Sequence, residues 1–316
     1  MIDIIIPVYN TPILDLERCL NSIINQTYSD YKVYIIDDGS NGNIKNYLDD
    51  FVKDKDNFIV KHINNNGVSN ARNVGIDISN SKYITFIDAD DTIENNFLLE
   101  AYELIEKNNL DIIIGGYNEI KNNNIVRTRL SLPRLHIYEG KTIDNFFEKL
   151  LTSKTNESNK EIGDCPTGRI YTRLFKRTSI GNLRFDTNIH MSEDTLFMID
   201  YTYKAKRIGI VDRIWYNYYI NDYSISNGTK KEIMIEKISK KILTSPKLIV
   251  CMSTVVLIFC IASGFLLSNL LFHREPEEIA AKEMLSPFSS SEENQLPRSE
   301  ERRVGKECRS RWSPYH

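Results

Sequence analysis

The first 241 residues predict an α/β fold, with a mainly parallel central sheet flanked by helices. Short apolar runs alternate with segments whose apolar residues repeat at helical spacing, which is the pattern of βαβ units. The runs are rich in Ile, Val and Tyr, as strands buried on both faces are. Their carboxyl ends are polar or acidic, and ligands of open parallel sheets bind beyond that edge. A single apolar helix and a disordered tail are predicted to follow.

Strands are expected at Ile2–Ile6, Lys32–Asp37, Phe58–His62, Tyr83–Ile87 and Asp111–Ile114. Ile13, Leu16, Leu20 and Ile23–Ile24 share one helical face. Ser69 is expected to cap a helix reaching Ile78, and a further helix is expected over Glu94 to Lys107. Residues 115–165 are less patterned, with loops expected at Asn122–Asn124 and Thr155–Asn159. Glu193 and Asp194 precede an apolar helix carrying Leu196, Phe197, Ile199, Asp200 and Tyr203. Residues 1–115 and 116–241 are read as two halves of one domain.

The segment Tyr83 to Asp91 is the most informative. An apolar strand ends in Asp88, Asp90 and Asp91, and three clustered carboxylates repel unless a cation or donors compensate. Their hard oxygens suit Mg²⁺ or Mn²⁺. The other reading is an acidic first helical turn, which the helix dipole favours. A second acidic strand end, Asp37-Asp38-Gly39-Ser40, lies in the same alternating sheet. Strand one ends in Pro7-Val8-Tyr9-Asn10 and strand three runs into Asn64-Asn65-Asn66-Gly67.

A net charge of −3 makes no electrostatic case for nucleic acid. Cys19, Cys165, Cys251, Cys260 and Cys308 have no CxxC spacing, against a zinc site or a disulfide framework. Met1 leads straight into an apolar strand containing Asp3, so no secretory signal is expected there. Composition shifts near residue 242. Residues 1–241 hold 29 Asn and 20 Lys against 11 Arg, whereas 242–316 hold 2 Asn and 3 Lys against 6 Arg. Leu248 to Phe272 is 25 residues without a charge, long enough to span a bilayer (245–273 with its flanks). The lysines before it, from Lys230 to Lys247, predict that the first 241 residues face the cytoplasm. Residues 274–316 are polar and unpatterned, as disordered tails are.

Five blocks, in order, resemble glycosyltransferase family 2, the inverting nucleotide-sugar transferases of the GT-A fold. They are IIIPVYN (4–10), YIIDDGS (34–40), NNNGVSNARNVGI (64–76), FIDADD (86–91) and MSEDTLF (191–197). The resemblance covers roughly residues 1–228. It implies a UDP-sugar donor, a divalent Mn or Mg ion and a glycan or lipid-linked acceptor. Under it, Pro7, Val8 and Tyr9 line the nucleoside pocket, and Asp37 or Asp38 reads the uracil ring. Arg72 serves the diphosphate or ribose. Asp88 and Asp90 are the DxD acids, Asp90 the metal anchor and Asp88 the ribose or metal partner. Asp194 is the catalytic base and Glu193 either supports it or touches the acceptor, while Asp91 is left as an acid opening the next helix. The Asn/Ile/Lys-rich composition separately suggests an AT-rich bacterial genome, and with it a cell-surface polysaccharide or lipid-linked glycan as product, made at the cytoplasmic face of the membrane if the 248–272 segment anchors the chain. The terminal RSEERRVGKECRSRWSPYH (298–316) resembles a translated cloning-vector fragment.

His190, close to the proposed base, is read as structural. Tyr171 stands where relatives with a similar RLFKR block often carry Trp. Tyr216, Tyr218, Tyr219 and Tyr223 fit either sugar stacking or core packing. Ser224–Ser226 resembles a late family segment without an assigned role. Two rival readings of the acids are an Mg²⁺-dependent phosphotransfer or phosphatase-like domain and a non-catalytic, membrane-tethered binding module. The first needs a nucleophilic Asp at the end of strand one, where Pro7-Val8-Tyr9-Asn10 stands. A dehydrogenase is disfavoured because no GxGxxG follows that strand.

Overall fold

A computed structural model describes residues 1–129, 135–146, 168–189 and 192–220, all within one compact unit, Met1–Ile258. The apolar segment 248–272, the tail, His190, Tyr223 and Ser224–Ser226 lie outside the described residues. Among the described residues no helix is long and apolar enough to cross a membrane.

In chain order the elements are β1 (Ile2–Val8), α1 (Ile13–Ile24), β2 (Tyr31–Asp37), α2 (Gly42–Val52) and β3 (Phe58–His62). Then come α3 (Val68–Ile78), β4 (Tyr83–Phe86), β5 (Thr92–Ile93), α4 (Phe97–Lys107) and β6 (Ile112–Lys121). β7 (Asn124–Arg129), β8 (His136–Glu139), β9 (Arg173–Lys176), α5 (Arg177–Ile180), α6 (Glu193–Lys204) and β10 (Arg207–Tyr219) complete the described chain. The strands form one sheet in the order β3-β2-β1-β4-β9-β6-β10-β5, with β7 on β6 and β8 on β10. β3, β2, β1 and β4 are parallel. β9 enters antiparallel between β4 and β6, and β10 runs parallel to β6. β6 crosses residue 115, so this strand carries both predicted halves of the domain.

The two-fold alternation of β1 sorts its side chains between two helical layers. Ile2, Ile4, Ile6 and Val8 join Leu16, Leu20 and Ile23 of α1, Leu48 of α2 and Phe97 of α4. Ile5 faces the other way, with Ala71 and Ile76 of α3 and Phe197 of α6. Both faces are dry, which is why the strand reads as an unbroken apolar run. Gly75 lets α3 approach this face, because a Cβ there would lie 2.3 Å from Ile5 Cγ2.

Local details correct several expectations. Gly67, not Ser69, precedes the first turn of α3; its φ of +88° favours glycine. Ser69 lies inside the helix, where its buried hydroxyl has no partner. α4 begins at Phe97 rather than Glu94, because Thr92–Ile93 pairs with β10 and Glu94 N–H donates to the Trp215 carbonyl. Glu193 and Asp194 open α6 rather than precede it. Asp3 is a structural acid that accepts from the Asn80 and Ser81 N–H groups and the Ser81 hydroxyl.

Candidate active site

Parallel register brings the first two strand ends together, Val8 lying opposite Asp37. Ile5 lies opposite Phe86, which sets Asp88 beyond the same edge. Pro7 is half-buried, Val8 is packed in the core and Tyr9 is 56% exposed. Val8 therefore offers this edge its backbone, and its carbonyl accepts the Asp38 N–H at 2.8 Å.

Asp37 and Asp38 are both buried, yet they do different work. Asp37 accepts the Ser40 N–H at 2.9 Å and contacts His62 Nδ1 at 2.6 Å. The far nitrogen of His62 meets Asp49 at 3.0 Å. Burial acts to raise the Asp37 pKa, but the hydrogen bonds from Ser40 and His62 outweigh it and hold the carboxyl below its usual value. The two carboxylates in turn raise His62 against its own desolvation. Asp38 accepts the Asn66 and Gly67 N–H groups at 2.9 and 2.8 Å, fastening the third-strand loop at the start of α3.

The fourth strand end separates its three acids. Asp91 is fully buried and accepts the Tyr216 hydroxyl at 2.7 Å and the Tyr219 N–H at 2.8 Å. It therefore does not open a helix; it anchors β10 to this edge. Burial, then Asp90 and Asp88, push its pKa well up. The same Tyr216 hydroxyl accepts the Asp88 N–H at 3.1 Å. Asp88 and Asp90 are half-buried. The Asp90 carbonyl accepts Arg18 Nη2 at 2.7 Å, and that guanidinium lies 3.7 Å from the centre of the Tyr219 ring.

Arg72 joins this edge to α6. Its side chain is 6% exposed and forks, Nη2 to Asp88 at 2.9 Å and Nη1 to Glu193 at 2.8 Å. The adjacent Asn73 exchanges two hydrogen bonds with the Phe185 backbone, at 2.9 and 2.8 Å. The Phe185 ring lies 5.4 Å from the Arg72 guanidinium. Glu193 is raised by burial and then by Asp194, against the pull of Arg72. Asp194 is also raised, by burial first, opposed by Arg72, the Thr195 N–H and Arg169. Two non-glycine residues here have left-handed backbone, Thr172 (φ +64°) and Ser192 (φ +61°). For β-branched Thr172 this is a strained conformation, of a kind that clusters at functional sites.

The structure thus gathers Asp37, Asp38, Asp88 and Asp90 on one edge and ties Asp88 to Glu193 through Arg72. Tyr171 and Tyr216 are core residues, stacked at 4.4 Å and 6°. Sequence reasoning passed over Arg18, His62, Asn73 and Arg169. Nothing local marks these roles of Arg18 and His62, whose partners lie 72 and 25 positions away, whereas Asn73 sat inside the block 64–76 already singled out.

Asp88 and Asp90 fit a divalent ion in part. They supply hard oxygens from two half-buried side chains, and among the described residues no cluster of three His, Cys, Asp or Glu could hold a metal unaided. Such a pair leaves coordination positions for phosphate and water.

An acidic carboxyl edge facing a helix that opens with two further acids suits a sugar-transferring enzyme of the GT-A fold, and kinship in sequence and fold identifies the chain as one. The chain belongs to glycosyl transferase family 2, whose pattern matches residues 3–182. It is 30% identical over 241 residues to the uncharacterized glycosyltransferase EpsJ of Bacillus subtilis (strain 168), covering 76% of this chain and 67% of EpsJ. It is 28% identical to the poly(ribitol-phosphate) beta-N-acetylglucosaminyltransferase TarP of Staphylococcus aureus (strain N315), covering 78% of this chain and 73% of TarP. The crystal structure of S. aureus TarS 1-349 in complex with UDP-GlcNAc superposes with a TM-score of 0.61 at 18% identity, over 78% of this chain and 67% of TarS 1-349. Two streptococcal glycosyltransferases are matched over only 39% and 32% of their own lengths.

Proposed function

We propose that this chain moves a sugar from a UDP-sugar to an acceptor hydroxyl by a single inverting displacement. The observation that carries the reading is the Arg72 fork, which holds the Asp88 strand end against the α6 acids. It links a donor-binding edge to a base.

Pro7, Val8, Tyr9, Asp37 and Asp38 would hold the nucleoside, with Asp37 or Asp38 accepting from the uracil ring N–H. Asp88 and Asp90 would hold Mn²⁺ or Mg²⁺. When bound, that ion supplies positive charge to the leaving diphosphate. Arg72 is committed to two protein carboxylates, so its role is to position Asp88 and Glu193. Asp194 takes the acceptor proton as the hydroxyl attacks C1 from the opposite face. Its burial raises its proton affinity above that of an exposed Asp, as a base requires. Glu193 supports it from the preceding position. The kinship with TarP, named for a poly(ribitol-phosphate) acceptor, supports a bacterial surface glycan or polymer as acceptor class. Action at the cytoplasmic face, tethered by 248–272, rests on the sequence pattern alone.

The test is UDP release by the full chain from UDP-GlcNAc, UDP-glucose and UDP-galactose, with Mn²⁺ or with chelator. Metal-dependent release from at least one donor is expected. Asp194→Asn should retain UDP affinity within twofold and lose turnover by about 10²–10⁴. No metal-dependent release from any donor would refute transfer, and near-normal turnover in the Asn variant would remove Asp194 from the base role.

A further inference from the structure

One cation of the site is held differently from the others. Arg72 spends its donors on Asp88 and Glu193, and Arg18 on Asp15 and the Asp90 carbonyl. Arg169 lies against three rings at once, 5.5 Å from the centres of Tyr117 and Tyr171 and 5.4 Å from that of Tyr218. Among the described residues no carboxylate forms an ion pair with it. Aromatic rings attract a guanidinium without accepting hydrogen bonds in the way a carboxylate does, so its N–H groups stay open to other acceptors.

The rings are themselves fixed. Tyr216, Tyr171 and Tyr218 form a column, with spacings of 4.4 Å between the first two and 6.0 Å between the last two. Tyr117 meets Tyr171 edge-on at 5.4 Å. The buried end of the column is pinned by the Tyr216 hydroxyl on Asp91, and the Tyr218 end is half-buried. Tyr171 is 4% exposed and its hydroxyl has no hydrogen-bond partner. A buried phenol without a partner loses free energy that a ligand oxygen would restore. Asp194 is near enough for its charge to act on Arg169.

We propose that Arg169, with the Tyr117, Tyr171 and Tyr218 rings, is an acceptor subsite for a phosphate group carried on a polyol or sugar. Planar N–H donors match phosphate oxygens in pairs. The half-buried Tyr218 ring offers a face to the C–H side of the same polyol. Asp194, whose charge reaches the guanidinium, would meet the acceptor's hydroxyl while Arg169 holds its phosphate, which fixes which hydroxyl reacts. The donor diphosphate belongs at Asp88 and Asp90, at the Tyr216 end of the column. This inference rests on the transferase reading for the word acceptor, but the phosphate subsite itself does not.

The experiment titrates the full chain, loaded with UDP and Mn²⁺, with sn-glycerol 3-phosphate and with glycerol, followed by saturation-transfer NMR. Glycerol 3-phosphate should bind and glycerol should not. Arg169→Gln should weaken the phosphate ester by about tenfold or more, as losing a charged hydrogen-bonding partner does. UDP affinity should stay within twofold, and Arg169→Lys should recover part of the loss. Urea unfolding midpoints for both variants establish that they are folded. The titration is repeated without UDP, so a protein that fails to bind UDP still tests the subsite. The subsite is overturned if the wild type does not bind the ester, or if Arg169→Gln binds it as the wild type does. An equal loss of UDP affinity overturns the acceptor assignment and gives Arg169 to the donor diphosphate.

Discussion

Replacing Arg72 with Met removes the guanidinium and keeps most of the side-chain volume. Glu193 is 13% exposed and loses the one cation that pairs with it among the described residues, next to Asp194. Removing one partner of a buried pair costs about 3–5 kcal/mol. Asp88 is 29% exposed, so water replaces part of what it loses and the lower end, about 3 kcal/mol, is expected. The assay is urea unfolding, where that loss moves the midpoint down by about 1 M. The deficit should also depend on pH. Without Arg72, the already raised Glu193 pKa rises further above its unfolded value, so its stability contribution is complete at low pH and fades as pH climbs through the folded value. The variant's deficit therefore shrinks on acidification from neutral pH. A midpoint within 0.2 M of wild type, by the same rough measure, would refute the idea that this fork holds the site together. So would a deficit that does not change with pH.

Two further outcomes follow from the same geometry. Gly75→Ala places a methyl 2.3 Å from Ile5 Cγ2 and should destabilise by about 1–3 kcal/mol, read by urea unfolding; a neutral effect would mean that α3 can move off β1. Turnover should rise with pH along an acid limb whose midpoint lies above the ordinary Asp value of 3.8, because burial raises Asp194 and the base works deprotonated. A kcat profile flat down to the ordinary carboxylate range would contradict it.

The parallel strands were legible because burial on both faces writes them as unbroken apolar runs; β3 even has the expected bounds, Phe58–His62. The later strands were not. β9 is four residues with a basic residue at each end, and it pairs antiparallel with β4 and β6, which no local pattern specifies. β10 shifts register between Ile210 and Tyr216, and this breaks its two-fold alternation. β5 is two residues long and owes its existence to β10.

The site divides in the same way. A strand ending in DADD announces acids, but their separate tasks are set by distant partners. Asp91 is structural because of Tyr216, 125 positions later. Arg72 was expected at the donor diphosphate or ribose, because the block 64–76 that holds it resembles the family's Gly-x-x-x-Ala-Arg-Asn-x-Gly segment. Its actual partner in α6, Glu193, lies 121 positions away.

The central claim is that Asp88 and Asp90 bind the donor diphosphate through a divalent ion. Calorimetric titration of UDP into the full chain tests it most directly, with Mn²⁺ or with chelator, for wild type and Asp90→Ala. Tight binding that requires Mn²⁺ in the wild type, and is lost in Asp90→Ala with an unchanged unfolding midpoint, is expected. UDP affinity independent of Mn²⁺, or retained in full by Asp90→Ala, would contradict it.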